Sequence, residues 1–409
     1  VLDLLRDIVA QTQTAMIYVS HDIGVISAVC EKIAIMYAGE LVELGEKQQL
    51  INQPAHPYTQ GLLDSIPKLH QSRLPVGMEG RQPQPGLRDF SSQCVFLDRC
   101  GHAQPICEQS KPGLLKLPGQ AVKCHFGEQT LALKDLATGS QVAKPEGFSK
   151  VVLQVSDLCV SYDRPSLKRR IMGDKADLTV QDIAFEIRQG EILGLVGESG
   201  SGKSTLLKTV AGLQQPLSGS MVLNEKFDLS YAVGKRAPEC QQRIQLVFQN
   251  PDASLNPSHT IEEILARPIA LYFGGSESAI SEEIDQMLER VNLPVAYRHR
   301  YPGQLSGGEK QRIAIARALV AKPDLILCDE ITSALDVSVQ ASIMKLLLRL
   351  RDESQLAILF VSHDLAVVNA LADQVVVLQQ GRIRESGRVY DVFSSPEHEY
   401  TQSLLASVL

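Results

Sequence analysis

From Val151 onward the chain alternates short continuous apolar runs with longer amphipathic stretches: EILGLVG (191–197) precedes STLLKTVAGL (204–213), and LILC (325–328) precedes SVQASIMKLLLRLRD (338–352). The short runs predict strands buried on both faces, and the longer stretches carry apolar residues at helical spacing. Strand–helix alternation of this kind predicts a parallel sheet with helices on its faces. The pattern also repeats. TAMIYVSHDIGVISAV (14–29) matches LAILFVSHDLAVVNAL (356–371) at an offset of 342 (363 − 21), and the register continues without a gap. Gly39 meets Gly381, Gly45 meets Gly387, Pro54 meets Pro396, and His56-Pro57-Tyr58-Thr59 meets His398-Glu399-Tyr400-Thr401. The first 70 residues therefore copy the last 70.

Boundaries follow from that repeat. Residues 1–70 read as the tail of one unit, and 71–93, rich in Pro, Gly, Gln and Ser, as irregular loop. Residues 94–127 hold a cysteine cluster, 128–150 lack periodicity and read as a linker, and 151–409 form a second, complete unit. The apolar share of 44% and charged share of 21% exclude disordered, collagenous and fibrous classes. No run approaches the ~18 apolar residues of a bilayer span, and VLDLLRDIVAQ lacks a signal-peptide layout. A net charge of −7 argues against a surface that coats nucleic acid. Of eight cysteines, Cys94, Cys100, Cys107 and Cys124 cluster, while Cys30, Cys159, Cys240 and Cys328 sit in apolar surroundings and read as small core residues. In a reducing compartment, clustered cysteines bind metal more often than they form disulfides.

Three motifs carry chemistry. Gly197-Glu198-Ser199-Gly200-Ser201-Gly202-Lys203-Ser204-Thr205 follows an apolar strand and opens a helix. Glycines let successive N–H groups turn toward phosphate oxygens, and the helix start adds its positive dipole end. Lys203 is then placed for the β- and γ-phosphates and Ser204 for Mg²⁺. Leu325–Glu330 is a buried strand ending in two carboxylates that point apart, so Asp329 can hold the Mg²⁺ shell while Glu330 polarises the attacking water. Ser306, Gly307 and Gly308 stand at the start of another helix, a second phosphate-binding element. One phosphate loop has no local use for it, so its phosphate belongs to another copy. Lys168-Arg169-Arg170 reads as a solvated loop.

These residues resemble the nucleotide-binding domain of an ABC transporter ATPase. The family's motifs occur in order: phosphate loop 197–205, Q-loop Gln249, signature 305–309, Walker B 325–330, D-loop Ser333-Ala334-Leu335-Asp336 and H-loop His363. The resemblance implies an α/β P-loop NTPase fold with a mostly parallel sheet, an antiparallel β subdomain near 151–195 and a helical signature subdomain near 250–310. It implies ATP and Mg²⁺ as ligands, Gln249 beside the Mg²⁺ and the water, His363 as γ-phosphate sensor, and Tyr162 stacked on adenine. Two positions depart from the pattern: Ile331, where Pro is usual, and Glu309, where Gln is usual.

The run Phe248–Pro257 and the tail His-x-Tyr-Thr-x-x-Leu-Leu at 56–63 and 398–405 resemble the oligopeptide/dipeptide importer ATPases, and the fused layout is similar to importers of microcin-like peptides and glutathione. That group implies separate permease subunits, a second ATPase domain, an indirect solute-binding protein, no nucleic acid, and a peripheral place on the cytoplasmic face of the inner membrane. The cysteine spacing resembles that group's C-terminal extension. Four thiolates suit a [4Fe–4S] cluster, with zinc or metal-free packing as the alternatives. The first copy has His21 but no phosphate loop, signature or D-loop, and the chain begins with Val1. It therefore reads as the remnant of a tandem of roughly 600 residues, hydrolysing ATP only where two complete domains pair. Two other readings compete with import: a soluble ABC ATPase of DNA repair or translation, and a catalytically idle fragment.

Overall fold

A computed structural model describes residues 2–20, 22–67, 69, 74–78, 80, 92–130, 150–162, 177–333 and 335–407. His21, Lys168-Arg169-Arg170 and Ala334 lie outside the described residues, as do most of 71–93 and of 128–150.

In the first unit a helix, Ile23–Val29, leads into the hairpin β1 (Lys32–Tyr37) and β2 (Glu40–Glu46), followed by helices Lys47–Asn52 and Pro57–Asp64. β1 alternates outside and inside, as one-sided packing requires. A small core of Ile33, Ile35, Tyr37, Val42, Leu50, Val95 and Phe96 joins this hairpin to the cysteine segment. That segment adds β3 (Leu115–Leu117) and β4 (Gln120–Val122), giving a sheet in the order β1-β2-β4-β3.

The second unit contains two sheets. The strands β5 (Val151–Val160), β6 (Val180–Arg188), β8 (Ser218–Leu223) and β9 (Phe227–Asp228) form an antiparallel sheet ordered β6-β5-β8-β9. The strands β7 (Ile192–Val196), β10 (Ile244–Val247), β11 (Leu325–Asp329), β12 (Ala357–Val361), β13 (Gln374–Gln379) and β14 (Arg382–Arg388) form the central sheet, ordered β10-β11-β12-β7-β13-β14. All its neighbours run parallel except β13 and β14. The antiparallel subdomain is thus not bounded at 151–195. Ile192–Val196, buried on every residue, pairs with β12 and β13 instead, and two antiparallel strands come after the phosphate loop. A strand with no polar face needs covered neighbours on both sides.

The elements repeat at one offset. Ile23–Val29, β1, β2, Lys47–Asn52 and Pro57–Asp64 recur as Leu365–Leu371, β13, β14, Val389–Ser394 and Glu399–Ala406. Even the bulge in the hairpin recurs, at Ile35/Met36 and at Val377/Leu378. His56 Nδ1 accepts from the Tyr58 N–H and His398 Nδ1 from the Tyr400 N–H, both at 3.0 Å. Glu43 and Glu385 each accept from the two backbone N–H groups leading into that helix. One segment breaks the parallel. Residues 14–20, which match β12, form no strand, and Ile17 and Val19 are 94% and 90% exposed. A strand without a ladder on either side has no partner for its backbone. Of the four scattered cysteines, Cys240 and Cys328 are buried, but Cys30 and Cys159 are only half-buried. Cys159 stands on the outer side of β5, its sulfur 3.6 Å from an Asp182 oxygen.

The two units touch. Leu69 and Leu74 pack on the large core of the second unit, and Asn369 Nδ2 donates to the Leu69 carbonyl at 2.8 Å. Among the described residues no helix is long and apolar enough to cross a membrane.

Candidate active site

Parallel pairing explains why distant motifs meet. In the central sheet β10, β11, β12 and β7 end on the same edge, so the residues just beyond them share one crevice. Those residues are Gln249, Asp329-Glu330, Ser362-His363 and the phosphate loop.

After β7 the chain turns at Gly197, whose φ is +149; a Cβ there would lie 2.1 Å from the Leu378 carbonyl oxygen. Gly202, at φ +106, caps the helix Lys203–Val210. Both conformations favour glycine. Lys203 is buried, and its ammonium donates to the carbonyls of Gly197 at 2.7 Å and Glu198 at 2.8 Å, folding over the loop. Burial lowers its pKa, while the nearby carboxylates Glu330, Asp329 and Glu198 resist that shift. The Ser201 hydroxyl is buried without a hydrogen-bond partner, and Ser204 is exposed at the first turn of the helix. An orphaned hydroxyl, a helix start and a retractable ammonium are the donors a polyphosphate needs. Ser199 and Gly200 lie at the exposed tip of the loop. Tyr162 is 59% exposed, and its hydroxyl lies 3.1 Å from that of Thr205, which holds the ring at the mouth of the loop.

Across the crevice, burial raises the pKa of Asp329, and the neighbouring charge of Glu330 adds to the rise. A cation near this carboxylate would relieve both costs, which fits a Mg²⁺ shell. Glu330 adopts φ +46, a conformation rare outside glycine, and its N–H donates to the Val361 carbonyl. Strain of this kind concentrates at functional positions. Gln249 Nε2 donates to Glu330 Oε2 at 3.1 Å, and His363 Nδ1 stands 3.5 Å from that same oxygen. Ser333 Oγ donates to the Glu330 carbonyl at 2.9 Å. Three residues separated by 81 and 33 positions (330 − 249, 363 − 330) thus meet at one carboxylate oxygen.

Ser306, Gly307 and Gly308 are not part of this crevice. Ser306 and Gly307 are exposed at the start of the helix Gly307–Leu319, where Ser306 and Glu309 form a reciprocal capping box. The carboxylate at 309 fills that cap and also accepts from the Tyr297 hydroxyl at 2.9 Å. Ile331 is buried in the core of the second unit. Gly308 has a packing reason too: a Cβ would meet Val339 Cγ1 at 2.4 Å.

Sequence reasoning missed Tyr400, whose hydroxyl accepts from the Glu198 N–H at 3.0 Å and so steadies the phosphate loop. The repeated His-x-Tyr-Thr tail was the only signal for it. Lys310, salt-bridged to Asp252 at 2.6 Å, was missed as well; it ties the signature helix to the segment after Gln249.

The cysteines form a separate place. Cys94, Cys100, Cys107 and Cys124 line one small cavity of about 20 Å³ with His56, His102 and His125. Burial raises the pKa of Cys94, Cys124 and Cys100, the last to about 11. Among the described residues no group of three or more His, Cys, Asp or Glu side chains stands assembled to hold a metal ion.

The fold and crevice define a P-loop ATPase of the cassette type. Residues 180–333 match the ABC transporter family, and 42–107 match the oligopeptide/dipeptide transporter C-terminal region. The chain is 37% identical, over its whole length and 67% of the relative's, to the oligopeptide transport ATP-binding protein OppD of Mycobacterium tuberculosis. It is 33% identical, over its whole length and 58% of the relative's, to the glutathione import ATP-binding protein GsiA of Salmonella typhimurium. Two solved structures resemble it: the post-hydrolysis dimer of the ATP-binding cassette MJ0796 with ADP and Pi, and cbiO1 from Clostridium perfringens. The first has a TM-score of 0.51 and 26% identity, covering 58% of this chain and 98% of that one. The second has a TM-score of 0.52 and 27% identity, covering 61% and 93%. The chain belongs to the ABC transporter ATP-binding proteins, in the branch that carries the oligopeptide/dipeptide transporter C-terminal region.

Proposed function

We propose that the chain is the ATP-hydrolysing subunit of an importer of peptides or peptide-like solutes, acting with separate permease subunits on the cytoplasmic side of a membrane. The convergence of Gln249, His363 and Glu330 beside the phosphate loop is the observation that carries this reading. The names of the relatives, oligopeptide and glutathione import proteins, support the substrate class.

The chain's residues divide the work. Lys203 exchanges two backbone carbonyls for phosphate oxygens, with the loop N–H groups and Ser201 as further donors. Ser204 and Asp329, with Gln249 at the edge, would hold Mg²⁺, which neutralises phosphate charge. Glu330 takes a proton from the water that attacks the terminal phosphorus as the bond to the bridging oxygen breaks; Gln249 and His363 orient that carboxylate. Tyr162 supplies a face for the base. Ser306, Gly307 and Gly308 serve the phosphate held by a second ATPase domain.

The four clustered cysteines would be the ligands of a [4Fe–4S] cluster, a reading supported by their lining one cavity together. Binding would release the protons that burial favours on Cys94, Cys100 and Cys124. Visible absorbance in anaerobically isolated protein, lost in Cys100→Ser, tests this.

Glu330→Gln should lower turnover by ~10²–10⁴-fold while ATP binding persists. Measured hydrolysis within a factor of two of wild type would refute the assignment of Glu330 as general base.

A further inference from the structure

The strip from Glu330 to Asp336 has a second anchor, far from the phosphate loop. Ser333 Oγ donates to the Glu330 carbonyl, and Gln249 Nε2 reaches Ser333 Oγ at 3.4 Å as well as Glu330. Three residues further on, Asp336 caps the long helix Val337–Ser354, accepting from the N–H groups of Ser338 and Val339 and from the Ser338 hydroxyl at 2.6 Å. Ser338 is 2% exposed. Its hydroxyl also receives Arg99 Nη2 at 3.4 Å, a contact between residues 239 apart in the chain.

Arg99 comes from the first unit. It ends a short helical turn, Leu97–Arg99, immediately before Cys100. The guanidinium is held on its own side by the Tyr37 hydroxyl and lies over the Tyr37 ring at 6.0 Å. Tyr37 in turn packs against Tyr58 at 4.6 Å and edge-on to Phe96 at 5.1 Å, and Phe96 is 2% exposed. The Asp336 charge reaches this cluster and helps keep the hydroxyls of Tyr37 and Tyr58 protonated. The aromatic wall fixes the base of the arginine, and a rigid base lets a side-chain contact restrain its target.

We infer that Arg99, supplied by the cysteine-bearing segment of the first unit, is a positioning residue for hydrolysis in the second: it latches the Asp336–Ser338 cap, which holds the strip carrying Ser333 and Glu330. The inference rests on the ATPase reading above. The latch makes the first unit a functional neighbour of the site, acting through the cap of the helix Val337–Ser354.

Arg99→Ala and Arg99→Lys in the full 409-residue chain test the latch by two independent measurements. In Arg99→Ala, amide exchange over 332–339 should accelerate about tenfold while exchange over 94–124 stays as in wild type. The turnover number should fall about tenfold with KM unchanged, the scale of a single coupling contact. Arg99→Lys, which keeps a donor and the charge, should recover most of both. Ser338→Ala should give the same loss, and the pair should lose no more than either alone. Unchanged exchange over 332–339 in Arg99→Ala overturns the inference. So does a rise that extends equally across 94–124, which marks ordinary unfolding of the cysteine segment. A wild-type chain without turnover counts against the ATPase reading, and the exchange measurement still decides the latch.

Discussion

Lys203 illustrates how one residue is prepared for a ligand. Its ammonium is buried, so it needs acceptors, and two loop carbonyls supply them where phosphate is proposed to take over. Gly308 shows a different kind of constraint, steric rather than electrical. Gly308→Ala should destabilise the second unit by ~1–3 kcal/mol, because the new methyl overlaps Val339, whose branched side chain is stiff. Thermal denaturation reads the loss, and adding Val339→Ala should restore most of it. Such residues were partly legible in advance. Lys203, Ser204, Asp329 and Glu330 announced themselves because loop, strand and helix chemistry there is local in sequence. Tyr400 did not: its contact with the Glu198 N–H spans 202 positions, and a helical tyrosine reads as packing. The strained φ of Glu330 was equally invisible, since it depends on the hydrogen bond to Val361 from the neighbouring strand.

At the scale of elements, the repeated hairpin-and-helix unit carries its own pH response. His56 is 2% exposed, and burial lowers its pKa to about 4 from an ordinary 6.5. The fold therefore holds it neutral, while the unfolded chain takes up a proton below 6.5. Stability contributed by the neutral ring is complete above that value and is lost as pH falls toward about 4, by roughly 3 kcal/mol at most. Glu43, raised by its own burial, works in the opposite direction only nearer the carboxylate range. Unfolding of the first unit, followed by exchange or tyrosine fluorescence, should move to lower temperature between pH 6.5 and about 5. In His56→Asn, which keeps a cap for the Tyr58 N–H, that dependence should flatten. The sequence marked this element through its repeat but not through its burial. The same motif at His398 is more open to solvent, and in the first copy Phe96 of the cysteine segment packs against the His56 ring.

For the whole molecule, the role proposed for the exposed Ser306 and Gly307 makes turnover depend on association. Specific ATPase activity should rise with protein concentration and saturate as dimers form. A constant specific rate across dilution, with a monomer in solution, would remove the need for a second domain. The sequence by itself determined the motifs, their order, the repeat and the alternation of buried strands with helices. Each of these rests on chemistry within a few residues or on periodicity along one element. The tertiary structure alone decided which motifs meet. Parallel pairing brought Gln249, Glu330 and His363 to one edge, and docking of the first unit set Arg99 against Ser338. Segment 14–20 is the counterexample that gives the reason: it has the apolar sequence of β12 and, among the described residues, pairs with no strand. A local pattern states what an element can become, and its neighbours supply the hydrogen bonds and burial that make it so.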